Sequence, residues 1–167
     1  MFIKIIQLPK FRAVSFHVKE SEEPEKAAWQ QLKSWAVPRG MFDNPTIFQI
    51  YGRNHPTPTE QQRLRGYEFL ITIPDDYQTG ADVSEVIFPG GLYAVAASRG
   101  IQTMIENYEK IFDWIKKKTD FIPDYPESYD YLNAPGLELE HHINPHDDTN
   151  SDTFLIDAYI PIEKPSV

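Results

Sequence analysis

The sequence predicts an α+β domain made of two pseudo-symmetric copies of one strand-helix-strand-strand plan, and three observations carry that prediction. A Pro-interrupted apolar run, Ile6-Gln7-Leu8-Pro9 leading into Phe11-Arg12-Ala13-Val14-Ser15-Phe16, has a later counterpart in Ile87-Phe88-Pro89 leading into Leu92-Tyr93-Ala94-Val95-Ala96. Each run is followed by an amphipathic helical pattern and by two further strand patterns. The last strand of each copy also ends alike, Ile71-Thr72-Ile73-Pro74 in the first and Tyr159-Ile160-Pro161-Ile162 in the second. The order β-α-β-β, β-α-β-β gives mixed or antiparallel sheets rather than a doubly wound parallel fold. At 167 residues and 19.4 kDa the chain has the size of one domain. It reads as a single unit over 1–167, with repeat one over about residues 1–80 and repeat two over about 81–167. The seam between two such halves is a common place for a small-molecule pocket.

The elements follow in order. Residues 3–18 read as one strand, or as two pieces broken at Pro9. Arg12, Val14, Phe16 and Val18 alternate there with Phe11, Ala13, Ser15 and His17. Ser21-Glu22-Glu23-Pro24 marks a helix start, with acids in the first turn and proline near the first position. Ala28, Leu32 and Trp35 continue at helical spacing, Trp29 and Ala36 lie beside them, and Pro38 and Gly40 stop the helix. Residues 46–52 read as a short strand. Arg53 to Gly66 is polar and carries Pro56 and Pro58, so a mobile loop is expected. Residues 67–73 form a strand closed by Pro74-Asp75-Asp76.

The second copy begins near Val83. Pro89-Gly90-Gly91 marks a bulge or bend inside an extended run that lasts to Ala97. Thr103, with Glu106 three residues on, has the pattern of a capping box. Met104, Tyr108, Ile111, Phe112 and Ile115 make one apolar helical stripe. Residues 119–136 are rich in Pro, Asp and Tyr and are expected to be irregular. A strand over 137–143, a polar turn region over 144–152 and a last strand over 154–162 complete the chain.

Composition excludes several classes. The net charge is −9, from 16 basic and 25 acidic residues, which opposes a phosphate-binding surface, so no direct nucleic-acid binding is expected. The basic run Lys116-Lys117-Lys118 falls at a helix C-terminus, where cations complement the macrodipole. There is no cysteine, so disulfides and thiolate metal sites are excluded. No apolar run reaches membrane-spanning length, and the chain starts in a strand pattern without a signal-peptide arrangement, so a cytoplasmic protein is expected. Ten Phe, nine Tyr and three Trp allow an aromatic-lined cavity, although the core of a β-rich protein accounts for most of them.

The element order and a series of local phrases resemble the GyrI-like (gyrase-inhibitory-protein-like) family, the effector-binding domain of AraC-type and multidrug-responsive transcription activators. The phrases are Ala28-Trp29 with Leu32 and Trp35-Ala36, Ile50-Tyr51-Gly52, and Gly66-Tyr67-Glu68-Phe69. Further along come Phe88-Pro89-Gly90-Gly91-Leu92-Tyr93-Ala94-Val95, Leu139-Glu140-His141-His142-Ile143-Asn144-Pro145 and Asp157-Ala158-Tyr159-Ile160-Pro161-Ile162. The resemblance covers nearly the whole chain. It implies a curved, mainly antiparallel sheet with two main helices, and a central cleft for hydrophobic, often cationic, small molecules lined by aromatics around a buried acid. It also implies a stand-alone member, because the sensor fold uses every residue and leaves none for a DNA reader.

In the family the ligand-binding acid is typically a glutamate on the last strand, in a Glu-x-Tyr-Ile-Pro setting. This chain has Asp157 there, one methylene shorter, and Glu68 on the equivalent strand of the first copy is the competing candidate. Glu68 shares a face with Leu70 and Thr72, opposite Tyr67, Phe69, Ile71 and Ile73. It is either a cavity carboxylate that attracts a cation or an acid on the wet side of a strand. The same two readings hold for Asp157, which runs against β propensity. Tyr159 is an aromatic wall or a core tyrosine with a wet tip, and Tyr51 and Tyr93 are walls by resemblance. Trp35 and Trp114 lie near the ends of the two helices, Trp35 with the core and Trp114 off the main stripe, toward the seam or a loop. The expected ligand-binding set is therefore Glu68, Asp157, Tyr159, Tyr51, Tyr93, Trp35 and Trp114.

No cofactor and no metal are expected. His141 and His142 are adjacent on a strand and point to opposite faces, which suits no shared ion. His146 with Asp147 and Asp148 reads as a solvated loop, and His17 and His55 are isolated in sequence. The leading functional reading is a non-enzymatic sensor or sequestering protein for hydrophobic, cationic organic compounds, in keeping with multidrug binding and transcription regulation in the family. The alternative is a hydrolase of cyclopropane-bearing electrophilic natural products, with Glu68 activating water and Tyr51, Tyr93 or Tyr159 polarising the leaving oxygen. A third reading is a protein-interaction module of the gyrase-inhibitor kind.

Overall fold

The computed structural model describes residues 2–63, 65–118 and 120–166, Lys118 by its backbone alone. Met1, Leu64, Thr119, Val167 and the last side chain of the basic run thus lie outside the described residues. Strands β1 (Ile3–Leu8) and β2 (Phe11–Lys19) precede helix α1 (Pro24–Ala36), then β3 (Ile50–Asn54) and β4 (Gly66–Ile73). The second copy runs β5 (Ser84–Phe88), β6 (Gly91–Arg99), helix α2 (Ile101–Lys118), a two-residue β7 (Ile122–Pro123), β8 (Leu139–His142) and β9 (Leu155–Glu163).

The two Pro-interrupted runs pair with each other. β1 lies antiparallel to β6 with Leu8 opposite Gly91, and β2 lies antiparallel to β5 with Phe11 opposite Phe88. Both breaks therefore fall side by side in one long ribbon. Pro9 and Pro89 have no N–H to give a ladder, so the bend costs few hydrogen bonds. Gly90 turns with φ +80° where a side-chain carbon would come within 2.8 Å of the Pro9 carbonyl carbon.

The whole sheet runs β1-β6-β9-β8-β3-β4-β2-β5, every pairing antiparallel, with β7 added against the end of β9. Eight strands send side chains into one shared cluster, from Leu8 on β1 through Tyr93, Val95, Tyr159, Leu139, Tyr51, Leu70 and Ala13 to Phe88 on β5. A flat sheet could not bring its two edges together in this way. The sheet is curled into a half-barrel, and that cluster fills its hollow side.

The helices pack on the other face. α1 buries Ala28, Leu32, Trp35 and Ala36 against Val14, Phe16, Phe69 and Ile71. α2 buries Met104, Ile111 and Ile115 against Ala94, Ala96, Ile156, Ala158 and Ile160. Pro24 opens α1, and a 3-10 turn at Val37–Arg39 followed by left-handed Gly40 closes it. No described helix is long and apolar enough to cross a membrane.

Three sequence expectations differ in detail. The strand expected over 46–52 starts at Ile50, because Ile47 and Phe48 donate their N–H groups to the Asn44 carbonyl and make a turn. Thr103 is not a cap: α2 begins at Ile101, after Gly100 with φ +85°, so Thr103 already lies in the first turn. The segment after α2 holds the short β7, which pairs Ile122 and Pro123 with Glu163 and Ile162.

Candidate functional site

A cavity of about 680 Å³ opens on the helix-bearing face of the sheet. Glu25, Trp29 and Lys33 of α1 line one side. Tyr67, Phe69 and His142 line the sheet, and Ile101, Phe154 and Leu155 line the far side. Strand periodicity explains the choice. Tyr67 and Phe69 of β4 and Glu140 and His142 of β8 all project to the helix side, while Glu68 and His141 project to the hollow side.

The floor depends on Gly52. In register it sits between Phe69 of β4 and Glu140 of β8. A side-chain carbon there would lie 2.9 Å from Cζ of Tyr67 and 3.0 Å from Phe69, and nearer still to the Tyr67 hydroxyl. The empty place lets the Tyr67 phenol reach over β3 and donate a 2.5 Å hydrogen bond to Glu140 Oε2. None of the ion pairs among the described residues includes Glu140. Burial, and then the nearby Glu25 carboxylate, push its carboxyl well above the ordinary range, against the opposing pull of the Tyr67 hydrogen bond. Burial likewise raises Glu25, in the first turn of α1. Glu25 is exposed at the cavity, whereas Glu140 is half-buried and meets the cavity through Tyr67 rather than lining it.

Aromatic rings form one part of the wall, beside charged residues that include Lys33, Arg63, Arg65 and Glu25. The Trp29 indole lies 5.1 Å from Phe69, 5.4 Å from His142 and 5.7 Å from Phe42 between ring centres. Burial lowers His142 to about 3, so the ring is neutral, and its Nε2 has no hydrogen-bond partner. Asp148, on the loop between β8 and β9, accepts from Trp29 Nε1 at 2.9 Å and from Lys33 Nζ at 2.6 Å.

The residues singled out from the sequence lie elsewhere. Tyr51, Tyr93 and Tyr159 are brought together on the hollow side, with ring centres 5.9 Å (Tyr51 to Tyr159) and 5.6 Å (Tyr93 to Tyr159) apart. They are 2%, 5% and 4% exposed, so their rings are packed as core. Burial raises the Tyr93 and Tyr159 hydroxyls to about 12. Asp157 is half-buried on the same side, opposite Ala97 and His141, and burial raises its carboxyl with partial relief from Lys4. Trp35 packs against Phe16 in the α1 core and edges a second, more open and polar groove of about 750 Å³ with Ser34 and Arg39. Trp114 is partly buried against the α2 core. None of these seven side chains, Glu68 included, lines the 680 Å³ cavity.

Glu68 is 3% exposed and is not alone. It accepts from Arg53 Nε at 2.6 Å and Ser15 Oγ at 2.5 Å, and His55 Nδ1 lies 3.2 Å away. Burial would raise this carboxyl, but His55, the Arg53 charge and Ser15 outweigh it and hold the value at about 2. His17, His55 and Glu68 offer three ligand atoms within 4.8 Å of one another. The guanidinium already neutralises the carboxylate, His17 Nε2 lies 2.6 Å from the His55 carbonyl oxygen and His55 Nδ1 lies against Glu68, so each of these groups already has a protein partner. The cluster is an ion-pair network. His141 and His142 diverge as expected, one stacked on Tyr51 and the other beside Trp29.

Sequence reasoning missed Glu140, Tyr67, Trp29, His142 and Glu25. One signal was present: an acid inside a strand opposes β propensity, and that argument applies to Leu139-Glu140 as well as to Asp157.

Comparison with known proteins bears on this arrangement. The chain is similar in fold to EcmrR in its DNA complex, at 13% identity and TM-score 0.64, over 98% of this chain and 58% of that one. It therefore spans less than two thirds of that protein's length. It is similar to a hydrolase from Listeria innocua at 10% identity and TM-score 0.65, over 96% of this chain and 91% of that one. It is also similar to SAV2435 bound to tetraphenylphosphonium, at 13% identity and TM-score 0.55, over 98% and 94%. At such identities the likeness is one of fold. No curated protein matches the sequence. The profile of the family described as GyrI-like small molecule binding domain matches residues 1–163, and the chain belongs to that family.

Proposed function

We propose that the cleft between α1 and the start of α2 binds lipophilic organic cations, and that Glu140 supplies the charge. The observation that carries this reading is a half-buried carboxyl with no ion-pair partner among the described residues, hydrogen-bonded to Tyr67, whose ring lines the cavity beside Trp29 and Phe69. A carboxyl left without a counter-ion in low dielectric is strongly stabilised by an arriving cation. The walls suit it, since Trp29, Tyr67 and Phe69 present π-faces and edges. Glu68 is less suited, because Arg53 already occupies its charge. The volume of about 680 Å³ lies within the usual range for drug-sized ligands. The fold shared with a protein bound to tetraphenylphosphonium supports the same class of ligand. In a cell such a protein would act as a cytoplasmic sensor or sink for these compounds.

The test is titration with tetraphenylphosphonium and with neutral triphenylphosphine oxide, before and after Glu140→Gln. The cation should bind the native protein more tightly, and the substitution should remove about 1.5–3 kcal/mol for the cation alone. Equal affinity for the two ligands, or no effect of the substitution, would remove the basis for this reading.

A second reading has its own support. A carboxyl raised toward neutral pH and bonded to a phenol beside a cavity suits general acid-base hydrolysis of an electrophilic substrate, with Tyr67 at the oxygen that gains charge. Product formed in molar excess over protein would favour it, whereas stoichiometric capture favours the sink.

A further inference from the structure

We infer that Asp148 is a positioning residue of the cleft: it fixes the Trp29 indole as the wall against which an aromatic ligand stacks. The inference rests on the cation-binding reading for its ligand, but its geometry is independent of it. Trp29 and Lys33 are one helical turn apart, so both donors of α1 point at the same place. Asp148 Oδ2 receives both, at 2.9 Å and 2.6 Å, and its side chain is 10% exposed. Burial opposes the carboxylate, but Lys33 and Trp29 together hold it ionised.

The loop that carries Asp148 is itself tied down. Asn144 Nδ2 and Thr153 Oγ1 both donate to Asp147 Oδ2, and the Leu155 N–H donates to Asn144 Oδ1 at 2.9 Å. The carboxylate is therefore presented by an ordered arm. On its inner side the indole touches Phe42, Phe69 and His142, and elsewhere it faces the cavity. Its N–H is the one polar handle that can stop it turning about its side-chain bonds. Asp148 and Lys33 both line the cavity, and at 2.6 Å the ammonium neutralises the carboxylate, so the pair presents a ligand with no net charge. Its effect on binding passes through the ring.

Two measurements test this. In the first, the affinity of neutral triphenylphosphine oxide, which the Lys33 ammonium left unpaired does not repel, is compared for the native protein, Asp148→Ala, Asp148→Asn, Trp29→Phe and the double variant Trp29→Phe/Asp148→Ala. Asp148→Ala should weaken binding about tenfold. Asp148→Asn, which keeps an acceptor for the indole N–H, should stay within about threefold of native. In the Trp29→Phe background, Asp148→Ala should have no further effect. An equal loss with and without Trp29, or an asparagine variant as weak as the alanine one, overturns the inference.

In the second, acrylamide quenching of tryptophan emission is measured without any ligand. Asp148→Ala should raise quenching, Asp148→Asn should not, and the rise should vanish in the Trp29→Phe background. Unchanged quenching in Asp148→Ala overturns the inference even if cations bind. Failure of the native protein to bind tetraphenylphosphonium, with the quenching pattern as stated, overturns the functional reading and leaves the positioning of Trp29 standing.

Discussion

Gly52→Ala is expected to strike the cleft floor through one side chain, and the size of the effect follows from the geometry. The added carbon would lie 2.9 Å from Cζ of Tyr67 and 3.0 Å from Phe69, with the Tyr67 hydroxyl closer still, so the phenol must move. Overpacking of this kind costs about 1–3 kcal/mol. Moving the phenol also removes the partner of the Glu140 carboxyl, a further loss of about 1–3 kcal/mol. The sum is about 2–6 kcal/mol, a large part of the stability of a domain this size. Urea unfolding reads it as a fall in midpoint at unchanged slope. The decisive comparison is with Tyr67→Phe. That change deletes both the nearest obstacle and the donor, so Gly52→Ala should cost about 1–3 kcal/mol less in that background. Equal costs in the two backgrounds would refute the claim that Gly52 is there to let Tyr67 reach Glu140.

Tetraphenylphosphonium binding should strengthen as pH rises through the raised value of Glu140, and Glu140→Gln should flatten the profile; calorimetric titrations at several pH values check both. Stability should move the other way: the folded state keeps the Glu140 proton longer than the unfolded chain, so stability is fullest below the ordinary carboxyl value and falls as pH rises toward the raised one. Glu68 has the opposite sign, since its value is held near 2 in the fold; its contribution, about 3 kcal/mol at most, is present above the ordinary value and lost as pH falls toward 2, measurable by urea melts in acid. Arg53→Ala leaves that carboxylate buried without its cation and should cost about 3–5 kcal/mol in the same melts. Tyr159→Phe should leave cation affinity within about twofold of native, because the ring lies in the hollow-side core; a loss of about tenfold would place the ligand on that side of the sheet instead.

Much of the fold was legible because its signals are local. Prolines at 9 and 89 marked the breaks, apolar spacing over Met104, Ile111 and Ile115 marked α2, and the strand of Glu68 was read with Tyr67 and Phe69 on the opposite face. The cleft was less legible for a physical reason. Period two sorts a strand into two faces without telling which one meets a cavity, and here both faces of β4 are buried along its length. The curl of the sheet decides it, drawing Tyr51, Tyr93 and Tyr159 into the hollow side and leaving Tyr67 and Phe69 to the open one. That curl depends on which strands are neighbours, and the meeting of β3 with β8 joins segments far apart in sequence. Only after that meeting is Gly52 beside Glu140. Trp29 was legible as a helix residue, but its hold on Asp148 spans 119 positions and left no local trace.

The central ribbon bears on how this chain tolerates changes of length. Leu8 faces Gly91 and Phe11 faces Phe88 in one unbroken register across both bends. A single residue gained or lost between Leu8 and Phe11, or between Phe88 and Gly91, would turn every following side chain of that strand inside out. Insertions are better placed in the stretch from Thr57 to Arg63 or from Tyr125 to Asn133, where no ladder counts residues. Homologues that vary in size should therefore differ in those outer stretches and agree to the residue in the ribbon.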